Sequence, residues 1–158
     1  ISGYTRISEE DEDAALMLVS IIRQVGTKAA LESNGRVVKT IGDAIMMELP
    51  TVSDALTAAR KLHEKYSLLS GQYKLPHLPI HTGIHWGEVV RASDGDIYGK
   101  SVNLAARLEG VAGPSEIVLS QNAVDQLNDK HNLKPMGKIK LKNIHEEVQC
   151  FSLSTNNQ

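Results

Sequence analysis

Cysteine is almost absent: the 158 residues hold one, Cys150. A lone cysteine excludes an internal disulfide, and its place in the apolar alternation "VQCFSL" points to an inert buried thiol instead of a nucleophile. Such sparing use fits a reducing compartment. Charge of one sign is missing too. With a formal net charge of −2 and 23% charged residues, the chain has no basic surface for nucleic acid, and 41% hydrophobic residues exclude a largely disordered chain. No apolar run approaches the roughly 20 residues that cross a bilayer, and no charged-apolar-small signal opens the chain. The sequence therefore reads as soluble, with no direct membrane contact. Internal repeats and low-complexity segments are lacking. What remains fits one ordinary domain over residues 1–158. The chain opens without methionine inside a patterned segment, "ISGYTRISEE", and so reads as a piece of something longer.

Periodicity orders that domain. Ser8 with Asp11 three residues on resembles a helix start, and Leu18, Ile21, Ile22, Val25 and Ala29 recur at helical spacing, predicting a helix from about Glu9 to Leu31 stopped by Asn34-Gly35. "RVVKTI" and "AIMMEL" form a tight hairpin with Gly42-Asp43 at its tip. Ser53 or Thr51 caps a second helix through about Leu69, followed by the loop "SGQYKLPHLP". "LPIHTGIHWGEVVRA" looks like two strands turning near Trp86-Gly87, and a third helix starts near Gly99. "EIVLS" is a strand, "QNAVDQL" a short helix and "GKIKLKNIHEEVQCFSL" a terminal hairpin. This order implies an α+β fold, with helices packed on a mixed, mostly antiparallel sheet.

Several side chains could carry chemistry. His77, His81 and His85 recur every four residues, but Pro79 and Gly83 argue against a helix. On a strand such residues lie ~13 Å apart, too far for one ion with bonds of about 2 Å. They read as ordinary strand and loop histidines. Lys138, Lys140 and Lys142 alternate with Ile139 and Leu141 as on a half-buried strand with a solvated lysine face. Asn103 and Arg107, four apart on one helix face, could present an amide and a forked cation to one phosphate, though solvated faces carry the same pair. Asp43 alone is equally an ordinary turn residue. Lys39 and Asp96 make a complementary pair for a purine edge: lysine only donates and ionised aspartate only accepts. Adenine offers an acceptor at N1 beside a donor amine, whereas guanine inverts the pattern.

Together these residues resemble the catalytic domain of the class III nucleotide cyclases. "VKTIGDAIMMELP", "PIHTGIHWGEVV", "GDIYGKSVNLAARLE" and "SEIVLS" match that family's blocks in order and spacing, with "ISGYTRISE" as its phosphate-binding turn and "IKLKNIHEEVQCFSL" as its terminal hairpin. The resemblance covers nearly the whole chain. It implies a ferredoxin-like α+β fold in a head-to-tail homodimer, two active sites at the interface, and a cytoplasmic location. It also implies that Asp43 is one of two aspartates holding a pair of Mg²⁺ or Mn²⁺ ions, with Ile1 at a position whose carbonyl touches metal. Gly3, Tyr4 and Thr5 then match a turn that cradles phosphate, Lys39 and Asp96 the adenine readers, and Asn103 the residue that orients the ribose. Arg107 matches the cation for the transferring phosphoryl group, and Lys142 the contact to the terminal phosphates. ATP is the implied substrate, cyclic AMP and pyrophosphate the products. Asp43 would come from one subunit, and Lys39, Asp96, Asn103 and Arg107 from the other.

One departure stands out. The family's other metal aspartate precedes the isoleucine matched by Ile1, so that carboxylate and the first strand carrying it are expected in an upstream segment. The alternative is a cyclase-like module that binds nucleotide or dimerises without turnover. A purely structural domain would make Lys39, Asp43, Asp96, Asn103 and Arg107 all coincidental.

Overall fold

The first stretch of the chain forms two helices where the pattern predicts one. In the computed structural model, which describes residues 1–156, helix α1 (Tyr4–Glu10) and helix α2 (Glu12–Glu32) meet at Asp11. Asp11 is the cap of α2: its side chain accepts from the Ala14 amide at 3.0 Å, and Glu12 and Asp13 complement the helix dipole. Ser8 is not the cap, because its hydroxyl donates to the Thr5 carbonyl at 2.7 Å inside α1. Residues 157 and 158 of the expected domain lie outside the described residues.

Strands β1 (Arg36–Ile41) and β2 (Ala44–Glu48) form the expected hairpin, which packs on α2. Thr51, not Ser53, caps helix α3 (Val52–Gln72), accepting from the Asp54 amide at 3.0 Å. The helix continues through Ser70, Gly71 and Gln72, expected as loop. There follow β3 (Thr82–Ile84), β4 (Val90–Arg91), β5 (Ile97–Tyr98), α4 (Lys100–Val111), β6 (Glu116–Ser120), α5 (Gln121–Asp125), β7 (Lys134–Ile139) and β8 (Val148–Ser154).

The main sheet has the order β3-β6-β8-β7, with β3 parallel to β6 and the other pairs antiparallel, so the fold is α+β with a mixed, mostly antiparallel sheet. The expected hairpin at Trp86-Gly87 is corrected. β3 runs parallel to β6, which demands a long crossover through α4, while β4 pairs with β5 in a separate ribbon. Alternation marks a strand without naming its partner. The lysine stripe is corrected as well: β7 ends at Ile139, and the Lys140 ammonium turns back to the Ile144 and His145 carbonyls.

The core explains why "EIVLS" is apolar throughout. Ile117 and Leu119 of β6 pack with Val52 and Ala59 of α3 and Ala123 and Val124 of α5. Val118, between them, joins Leu108 of α4, Leu141 and Cys150. A strand covered on both faces loses its alternation. The Cys150 thiol is fully buried and burial raises its pKa, as an inert thiol requires. Helix α2 is long and apolar enough to cross a membrane by length and composition, although its individual apolar runs are short. Ten of its residues, Leu18 and Ala30 among them, are buried, so here it is a core helix.

Candidate active site

Asp43 stands where the hairpin pattern puts it. Ile41 pairs with Ala44, leaving the two-residue loop Gly42-Asp43, and Gly42 takes φ +57 at its first position, as a type II′ turn requires. Arg23 of α2 steadies the tip by donating to the Gly42 carbonyl at 3.3 Å. The Asp43 carboxylate accepts from the terminal ammonium of Ile1 at 2.8 Å, an ion pair made by the first residue of the chain. Ile1 and the following turn thus lie beside the hairpin tip. Gly3, at φ +75, opens α1 with no side-chain cap; the Tyr4 amide donates to the Ile1 carbonyl at 3.4 Å, and the Thr5 amide has no capping side chain. The Ser2 amide ties the turn to the Pro79 carbonyl at 2.8 Å.

Lys39 and Asp96 also come together, from two different hairpins. The Lys39 ammonium donates to Asp96 Oδ2 at 3.1 Å. Asp96 Oδ1 meanwhile accepts from the Ile97 amide at 2.8 Å. The hydrogen bond from Lys39, with the Ile97 amide and the Arg36 charge behind it, lowers the Asp96 pKa, so the carboxylate is ionised at neutral pH. The ammonium still has two donors to give and the carboxylate further lone pairs. The pair is thus a ready-made donor and acceptor edge, half exposed to solvent.

Helix α4 carries Asn103 and Arg107. Among the described residues neither side chain has a hydrogen bond or ion pair, which leaves an amide and a guanidinium free on neighbouring turns. The helix under them is held closely. A Cβ at Gly83 of β3 would run into the Glu109 amide and the Ala105 carbonyl, so only glycine lets this strand and helix touch backbone to backbone. His81 holds the helix end through the Glu109 carbonyl at 2.9 Å and its carboxylate at 3.0 Å, the latter raising the His81 pKa. His85 has a separate partner, the Ser120 hydroxyl at 2.7 Å. Lys142 is exposed in the turn after Leu141, without a partner among the described residues. Among the described residues no hydrogen bond or ion pair joins Lys142, Asn103 and Arg107 to Asp43 or to the Lys39–Asp96 pair.

Sequence reasoning missed the side chains around the pair. Arg36 donates to the Gly95 carbonyl at 2.6 Å and to Glu48 Oε2 at 3.1 Å, and Arg91 meets Glu48 Oε1. The signal was hidden by a bulge: register shifts between Val37 and Lys39, and only that shift places Arg36 opposite Glu48.

Residues 1–155 match the family described as the adenylate and guanylate cyclase catalytic domain, and the chain belongs to that family. The adenylate cyclase of Anabaena cylindrica is 29% identical over 176 aligned positions, covering 97% of this chain and 35% of the relative. The crystal structure of the adenylyl cyclase CyaB from P. aeruginosa superposes with a TM-score of 0.77 at 25% identity, covering 95% of this chain and 87% of that one. The guanylyl cyclase Cya2 superposes equally well, TM-score 0.77 over 95% of this chain and 85% of its own, at 18% identity, a likeness of fold. The chain spans 26% to 40% of the length of several curated relatives.

Proposed function

We propose that the domain is an adenylate cyclase, closing ATP to 3′,5′-cyclic AMP and releasing pyrophosphate. The observation that carries this is the Lys39–Asp96 pair at 3.1 Å. A lysine that donates beside an aspartate that accepts complements the adenine edge, whereas guanine presents the inverse edge and would leave both groups unmatched. The name of the Anabaena relative, adenylate cyclase, supports the same substrate.

In the reaction the ribose 3′-oxygen bonds to the α-phosphorus, the bond from that phosphorus to the bridging oxygen of pyrophosphate breaks, and the hydroxyl proton leaves. Asn103 orients the ribose. Arg107, with no hydrogen bond or ion pair among the described residues, supplies charge to the phosphoryl group at the transition state. Lys142 meets the terminal phosphates, and the turn at Gly3, Tyr4 and Thr5 offers main-chain donors.

Asp43 offers a carboxylate and Ile1 a carbonyl, which also accepts from the Tyr4 amide at 3.4 Å. No group of three or more ligating side chains gathers among the described residues, so a pair of ions also needs the aspartate expected upstream of Ile1. That sparse set suits Mg²⁺ or Mn²⁺, which keep waters and take phosphate oxygens for the rest of their shell. Two such ions, when bound, lower the pKa of the ribose hydroxyl and neutralise phosphate charge. Among the described residues Asp43 makes no hydrogen bond or ion pair with Lys39, Asp96, Asn103 or Arg107. We take the site to be completed in a head-to-tail homodimer, as the resemblance implies, one copy giving Asp43 and the other the base-reading and phosphate-binding residues. The test is to supply the full-length protein with ATP and Mn²⁺ and to assay cyclic AMP. Product that disappears with a chelator is expected; no product, or equal cyclic GMP from GTP, would sink the proposal.

A further inference from the structure

We infer that Arg36, held by Glu48, is a positioning residue for base choice: it fixes the Gly95-Asp96 turn against β1, so that Lys39 and Asp96 present one donor and acceptor edge of set geometry. This rests on the proposed role of that pair as the adenine reader.

The β4–β5 ribbon that carries Asp96 cannot place itself. It has two residues per strand, pairs only Val90 with Tyr98 and Arg91 with Ile97, and stands outside the main sheet. An isolated ribbon is marginal even at greater length. Ile97 anchors one side in the core, and three side-chain links cross from the β1–β2 hairpin to the ribbon among the described residues: Lys39 to Asp96, Arg36 to the Gly95 carbonyl, and Arg91 to Glu48. The first is the pair offered to the base, so its geometry must adapt when nucleotide enters. The other two remain to hold the spacing.

The bulge makes this arrangement possible. On a regular strand residues three apart point to opposite faces. Arg36 and Lys39 nevertheless reach adjacent residues, Gly95 and Asp96, because an extra residue is inserted between Val37 and Lys39. The Arg36 fork is itself fixed: Nε and a terminal nitrogen both lie 3.1 Å from Glu48 Oε2. Hydrogen bonds from Arg91 and then Arg36 hold the Glu48 pKa below the usual range, so this brace is charged at neutral pH.

The experiment compares kcat and KM for ATP and GTP in the full-length protein and in Arg36→Ala, Arg36→Lys, Glu48→Gln and Lys39→Ala, with thermal melts alongside. Competition of ATP and GTP against a fluorescent ATP analogue gives the same ratio for any variant with little turnover. Arg36→Ala should lower the preference for ATP about tenfold, the size of one hydrogen bond to a charged partner, mainly through KM. Arg36→Lys, which keeps a donor for the Gly95 carbonyl, should restore most of it, and Glu48→Gln should fall between. Should Lys39→Ala abolish the preference while Arg36→Ala leaves it intact or lowers both substrates equally, the positioning role is overturned and the base pair stands. If Lys39→Ala leaves the preference untouched, the adenine reading itself has failed.

Discussion

The two ends of the proposed site, one for phosphate and one for the base, are ordered by opposite means. At the phosphate end the backbone is fixed and the side chains are free: α4 lies against Gly83 with no room for a Cβ and buries Leu108 completely, yet Asn103 and Arg107 bond to nothing among the described residues. At the base end the backbone is loosely supported and the side chains are tied, through Lys39–Asp96, Arg36–Gly95 and Arg91–Glu48. Charge that must develop on a phosphoryl group is met best by a donor with no competing partner on an immobile support. A flat base edge instead needs two groups held at a set spacing.

The largest expected effect breaks the phosphate end alone. Arg107→Ala should lower kcat for cyclic AMP by ~10³ or more, as the loss of a transition-state cation does in phosphoryl transfer. Since the guanidinium has no hydrogen bond or ion pair among the described residues and only its partly buried stem loses packing, the melting temperature should fall by no more than about 2–4 °C, the scale of about 1 kcal/mol. A large drop in melting temperature with little change in kcat would show that Arg107 belongs to the scaffold.

That division also explains what was legible beforehand. Gly42-Asp43 announced its own turn, because a two-residue loop with glycine first has few other uses. Asn103 and Arg107 were readable because helix spacing fixes which residues share a face. The partner of β3 was not readable, since "HTGI" alternates in the same way beside any strand, and only Gly83 hints at a helix pressed on it. The brace was hidden for a sharper reason. With Ile41 opposite Ala44, regular pairing would set Arg36 against Leu49, and one inserted residue replaces that with Glu48. A bulge depends on twist and tertiary support, which no local pattern records. The break at Asp11 was missed because acids suit the first turn of a helix and its cap equally well.

A second, smaller effect tests the support under α4. His63 of α3 is buried, with Nε2 2.8 Å from the Thr82 hydroxyl on β3 and Nδ1 2.7 Å from that of Thr155. Burial above all, with the His81 charge next, pushes its pKa down to about 4 from the ordinary 6.5. The unfolded chain therefore binds the proton more readily than the fold does. The stability contributed is fully present above about pH 6.5 and is lost as pH falls toward 4, on the order of 3 kcal/mol in total. His81 has the opposite sign: Glu109 raises its pKa, so its contribution is present at low pH and is lost as pH rises through that raised value. Urea unfolding at pH 7 and pH 4 should show His63→Gln losing less stability across this interval than the parent. Parallel losses would mean that His63 is not the group that titrates.

The smallest effect sharpens the comparison at the base end, whose ties are half-exposed ion pairs. Raising salt to about 1 M shrinks the Debye length to ~3 Å and should weaken them, whereas backbone contact at Gly83 carries no charge to screen. Turnover alone would be a poor readout, because salt also weakens phosphate binding. The ratio of kcat/KM for ATP to that for GTP cancels this, since both carry the same triphosphate. It should fall measurably, by up to about fivefold, the range of exposed pairs. A ratio indifferent to salt would mean that the ion pairs do not set the base edge, and the ordering of that end would then have to come from the bulge and from Ile97 buried beneath the turn.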